Sequence, residues 1–204
     1  MKSLIEIAKD FFNGVKNVDD SEQINEFPTS KDGNEILIAN TKENDGDGIT
    51  HINISILGNT ELGKQLAHFS PIGFTHPHYG PFNSMEGFWH YINSVSRDDK
   101  LRHLIGRSAK KHSKTLTKTK VVGFQEIIKE ANFYRIEQNP ELKKMFVESS
   151  LPFDYYYYYN NGPVAMRPRG HAWIAEMYEE LRRMMKEGKR PEPLDYTKVG
   201  QPVT

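Results

Sequence analysis

Glu86 is the acid in this chain best placed to do chemistry. It stands two residues after Ser84, where a proline- and glycine-rich stretch gives way to the helical spacing of Phe88, Trp89, Tyr91 and Ile92. A carboxylate there can stabilise developing positive charge on a substrate carbon or take a proton from an attacking water. An acid in the first turn is also favoured by the helix dipole alone, so position by itself leaves both roles open. Trp89 lies at i+3 from Glu86 and shares roughly its face, suited to stacking on a base or to core packing, while Tyr91 is rotated away.

The cations that suit a bound anion are Arg107, Lys110, Arg167 and Arg169. Five consecutive tyrosines, Tyr155 to Tyr159, cannot all face one core, and Tyr157 and Tyr159 are candidates for lining a site. His76 and His78, with His90 or His103, are the imidazoles a metal site would use, but no carboxylate spacing supports one, so no metal and no cofactor is expected. The Asp45-Gly46-Asp47-Gly48 run lacks the spacing and terminal Glu of a calcium loop and reads as a turn.

Elements that must position these groups follow from periodicity. Leu4, Ile5, Ala8, Phe11, Phe12 and Val15 give an amphipathic helix over residues 3–16. Glu35 to Ala39 reads as a short strand, Thr41 to Gly48 as a turn, and the alternation of Ile52, Ile54 and Ile56 as a half-buried strand over residues 49–57. Pro71 to Phe82 is expected to be a loop, and Ser84 to open a helix. Helices follow over residues 100–106 and 124–136, then one started by Asn139 and Pro140, and a last one over residues 171–187. Residues 189–204, with three prolines, read as a tail on the surface or disordered. The expected fold class is α+β, a mainly helical single domain with a small β-sheet, divided as an extension over 1–48, a central domain over 49–187 that carries Glu86 and a tail over 188–204.

Composition limits the function classes. The chain has 204 residues, 27 basic against 27 acidic side chains and no cysteine. Thiolate nucleophiles, disulfides and cysteine-bound metals are thereby excluded, and no net field draws the chain to nucleic acid or membrane. Without an apolar run long enough to span a bilayer or a secretory signal, the expected location is the cytoplasm. Basic residues do collect between Asp99 and Lys120, so a local anion site is compatible with neutrality.

Leu66-Ala67-His68-Phe69-Ser70-Pro71, followed by Ser84-Met85-Glu86-Gly87-Phe88-Trp89-His90-Tyr91, resembles the NADAR (YbiA-like) family, whose L-S-N-F-like element precedes a helix start bearing a catalytic Glu. Gly106-Arg107 is similar to its G-R pair, Ile136 to Leu142 to its F-x-Q-N-P-x-L element, and Glu180-Leu181-Arg182 to its closing M-x-x-R helix. The family's tryptophan pair and its late glycine-rich element are replaced, the latter by the tyrosine run and residues 163–173. The resemblance implies an N-glycosidase in which Glu86 assists cleavage of the bond from sugar C1 to nitrogen through an oxocarbenium-like state. The implied substrate is ADP-ribosylated guanine in a nucleotide or nucleic acid, and the implied role is to counter a DarT-type toxin, in keeping with a phage origin. A ribosylamino-pyrimidine phosphate of flavin synthesis is the alternative substrate, and an inactive module binding ADP-ribose or a protein is the alternative function. A desolvated lysine attacking the opened sugar as a Schiff base is a further route, with the lysine unspecified.

Overall fold

The computed structural model describes residues 35–37, 46–158, 165–168 and 170–203. The expected helix over residues 3–16 lies outside them, as do Tyr159 and Arg169. The described residues form an α+β fold of six α-helices, one 3-10 turn and three small sheets. None of these helices is long and apolar enough to cross a membrane.

In chain order the strands are β1 (Glu35–Leu37), β2 (Ile52–Asn53), β3 (Phe74–His76), β4 (Gly80–Phe82), β5 (Phe153–Asp154), β6 (Tyr157–Tyr158) and β7 (Ala165–Arg167). The helices are α1 (Glu61–Leu66), α2 (Met85–Ile92), α3 (Gly106–Ser113), α4 (Phe124–Glu137), α5 (Pro140–Glu148) and α6 (Trp173–Lys186), with the 3-10 turn at Asp99–Arg102. Strand order in the largest sheet is β1-β7-β6, antiparallel throughout. β2 pairs with β5 in parallel and β3 with β4 as a hairpin. One apolar core, containing Leu66, Phe82, Phe88, Ile127, Phe146 and Tyr178, joins all six helices. Each such buried side chain contributes roughly 1.5–3 kcal/mol.

Several sequence expectations are corrected. Alternation of three isoleucines gives a strand of only two residues, because the chain turns at Ser55–Gly58 and leaves Ile56 exposed. The stretch from Pro71 to Phe82 is a β-hairpin, since Phe74 and Phe82 face each other across it and bury. Helix α1 was not foreseen. It is capped by Thr60 and lies so close to β2 that a Cβ on Gly63 would fall 2.2 Å from the Asn53 carbonyl oxygen. The basic segment from Lys110 to Lys120 begins within α3 and then runs beside residues 93–95, with Val95 donating to Thr117 O and Thr119 to Asn93 O.

Gln138 and Asn139 act as a clamp. Gln138 accepts the Thr75 N–H at 2.7 Å and donates to the Thr75 carbonyl at 2.8 Å, while Asn139 donates to Gly73 O at 3.1 Å. The pair thus fastens the hairpin to the end of α4, and Asn139 starts α5 through its backbone conformation rather than by a side-chain cap.

The final segment packs on the domain. Tyr196 stacks on His78 with ring centroids 3.9 Å apart, and its hydroxyl donates to Glu130, which also contacts the buried His76. Gly200 and Gln201 exchange backbone bonds with Val122, and Val203 donates to Lys120 O.

Candidate active site

Ser84 sets the start of α2. Its Oγ accepts the Gly87 N–H at 3.1 Å and donates to Leu104 O at 2.9 Å, tying the helix start to the residues before α3. The next residues are therefore held where the unpaired N–H groups of the helix concentrate positive potential. Glu86 is 8% exposed, and its own N–H donates to the His68 carbonyl at 2.9 Å.

His68 is in turn fixed from below. Arg135, wholly buried, donates to Leu66 O at 2.7 Å and Ala67 O at 3.3 Å, at the carbonyl-rich end of α1, and to the Tyr178 hydroxyl at 2.8 Å. Burial lowers the Arg135 pKa from its ordinary value, and the Tyr178 oxygen opposes that shift. A buried cation bonded to backbone oxygens pins the segment that carries His68, and through it Glu86.

Glu86 Oε1 lies 3.0 Å from His90 Nε2, one helical turn on, and His90 Nδ1 lies 3.5 Å from Lys118 Nζ. An ammonium only donates, so Nδ1 must accept, which places the imidazole proton on Nε2, where it donates to the carboxylate. The three side chains form a line of donors ending on Glu86. Burial lowers the Lys118 pKa from the usual lysine range, with the Glu86 charge acting against it.

An aromatic wall adjoins this line. Trp89 is half-buried, with ring centroids 4.7 Å from Phe124, 5.3 Å from His68, 5.7 Å from His171 and 6.0 Å from a parallel Trp173. Tyr155 joins through His171, its ring centroid 6.3 Å away: burial, then the charge of Glu86, then Tyr157, push its phenol up to about 12. Tyr156 and Tyr158 are instead buried with Ala165 in a separate cluster, Tyr156 reaching His51 Nε2 at 2.7 Å.

Of the residues singled out from the sequence, Trp89 shares the helix of Glu86, and Tyr157 acts on Tyr155 at its border. Lys110 is exposed, with Nζ 5.7 Å from the ring centre of Phe69, the residue after His68. Arg107 is exposed in the first turn of α3, a helix that packs on α2. Arg167 is engaged with Asp154, at 2.8 and 3.0 Å to its two oxygens. The four histidines are dispersed: His76 is buried against Glu130, His78 lies on Tyr196, His90 holds Glu86 and His103 is exposed. Among the described residues no group of three or more His, Asp or Glu is arranged to hold a metal.

A cavity of about 250 Å3 opens between α4 and α6, bordered by Glu126, Lys129, Glu176, Met177 and Glu180. Glu86 does not line it. Trp173 does, and the same ring stacks on Trp89, so the cavity backs onto the aromatic wall of the Glu86 cluster. Carboxylate, imidazole and ammonium converge instead in the cluster of Glu86, His90 and Lys118.

Sequence reasoning missed Lys118, His68, Tyr155 and Arg135 as members of this region. The i, i+4 spacing of Glu86 and His90 was the one signal available for the pair. Comparison of the chain with protein-family models, with curated proteins and with solved structures finds no match.

Proposed function

We propose that the chain hydrolyses the N-glycosidic bond of an ADP-ribose-like nucleotide, releasing ADP-ribose from guanine in nucleic acid, with Glu86 acting at the sugar carbon. One observation carries the reading: the Glu86 carboxylate is nearly enclosed at a helix start and held at 3.0 Å by His90, which is backed by Lys118. A carboxylate so oriented needs no reorganisation when positive charge develops on C1. Glu86 takes a proton from water as the water oxygen bonds to C1. The C1–N bond opens, its electron pair goes to the base nitrogen, and a proton returns to that nitrogen.

The aromatic wall of Trp89, Trp173 and Tyr155 supports entry of a flat base beside Glu86. Lys110 and Arg107, exposed on the neighbouring helix, are the cations for the phosphates. The guanine link rests on the family resemblance, and on it the chain reverses a DarT-type modification.

The test is incubation with a guanine-ADP-ribosylated oligonucleotide. Wild-type chain releases ADP-ribose, and Glu86→Gln, which keeps the shape and loses the charge, releases it at least about 100-fold more slowly. Binding without release by the wild type, or undiminished release by the variant, overturns the proposal.

A further inference from the structure

His68 adjoins Glu86 through the backbone and takes no part in the hydrolytic step. Its Nε2 is buried and, in this structure, without a hydrogen-bond partner. Buried side-chain nitrogens are nearly always paired, and leaving one unpaired costs about 1–3 kcal/mol, so a group that completes this one is called for.

The surroundings narrow what that group can be. Burial, then the charges of Arg135, His171 and His90, hold the His68 pKa at about 3. The ring is therefore neutral under all ordinary conditions and offers no charge to a phosphate. Its flank is the Trp89 ring, 5.3 Å away, and its carbonyl receives the Glu86 N–H at 2.9 Å. Backbone contact thus couples the ring to the carboxylate. A neutral imidazole nitrogen is either a donor or an acceptor according to tautomer, and a hydroxyl, which both donates and accepts, satisfies it in either form.

Resting on the Glu86 reading above, we infer that His68 Nε2 is the binding partner of the sugar hydroxyl on C2, next to the carbon at which Glu86 acts, and makes the site selective for ribose over 2-deoxyribose. Of the hydroxyls on a ribose whose C1 carries a base, that on C2 is the nearest to C1, so a sugar with C1 beside Glu86 brings it toward the segment whose His68 carbonyl holds the Glu86 N–H. His68 acts as a specificity residue and takes no proton from the reaction.

The experiment measures binding of ADP-ribose, and of its analogue with 2-deoxyribose as the terminal sugar, by quenching of tryptophan fluorescence. Wild-type chain prefers ADP-ribose by about tenfold, the worth of one buried hydrogen bond. His68→Phe, which fills the space without a polar atom, brings the ratio to about one. His68→Gln, whose amide reaches roughly as far as Nε2, retains most of the preference. Near-ultraviolet circular dichroism confirms that each variant is folded, and if His68→Phe is not, the wild-type and His68→Gln ratios decide. A wild-type chain that binds both compounds equally, a preference that survives His68→Phe, or one that His68→Gln abolishes overturns the inference and leaves the role of Glu86 standing. A wild-type chain that binds neither compound overturns both.

Discussion

Gly87→Ala separates what helix propensity says from what packing says. Gly87 is inside α2, where alanine is intrinsically better by about 1 kcal/mol. On that basis alone the variant is more stable. In the folded chain, however, a Cβ on Gly87 would fall 2.3 Å from the Leu101 carbonyl oxygen and 3.1 Å from that of Leu104. Both obstacles are backbone, one in the 3-10 turn and one just before α3, so neither can rotate away. Restoring ordinary contact requires α2 and the turn to part by roughly 1 Å, and overpacking of this kind costs about 1–3 kcal/mol or more. With rigid obstacles we take the upper end, which leaves a net loss of about 2 kcal/mol. Urea unfolding followed by tryptophan fluorescence reads it directly: for a slope near 2 kcal/mol per M, the midpoint falls by about 1 M with the slope unchanged. A midpoint that stays or rises refutes the close approach of α2 to the turn.

Three further outcomes follow from the same geometry. The folded His68 pKa, about 3, lies below its ordinary 6.5, so between those values the unfolded chain holds the extra proton. Its stability contribution is complete above pH 6.5 and declines on acidification by up to about 1.4 kcal/mol per pH unit; His68→Gln flattens the urea-measured stability between pH 6.5 and 4.5 relative to wild type. Ending the chain at Gly188 removes the packing of Leu194, Tyr196 and Val199 and the Arg97 bond to Gly200 O, a loss on the order of 3 kcal/mol. The Val122 amide, which donates to Gln201 O at 2.9 Å, then exchanges its hydrogen far faster, as mass spectrometry would show. Tyr178→Phe deprives buried Arg135 of an acceptor at 2.8 Å and costs about 2–3 kcal/mol by denaturant unfolding, whereas an unchanged midpoint means the carbonyls suffice.

Much of the architecture was readable in the residues because it is local. Ser84 caps a helix wherever it precedes an apolar turn, Pro140 begins one, and the 3.6-residue spacing of Ile127, Ile128 and Ala131 marks α4 whatever it packs against. The same locality made Glu86 legible as an acid at a helix start. The hairpin at Phe74–Phe82 was hidden because proline and glycine signal a turn but do not say whether its arms pair; that depended on Phe74 and Phe82 finding one core and on Gln138 clasping Thr75.

The sequence by itself determined the α+β composition, most helix starts, and one carboxylate with an imidazole a turn away on the same helix. Tertiary structure alone decided that Arg135, 49 positions after Glu86, pins the segment on which Glu86 rests, and that Lys118 completes the line through His90. Helical phase is a property of neighbours along the chain and can be counted from residue types. Which buried cation meets which carbonyl depends on how α1, α2 and α4 enclose a common core, and no spacing along the chain encodes that meeting.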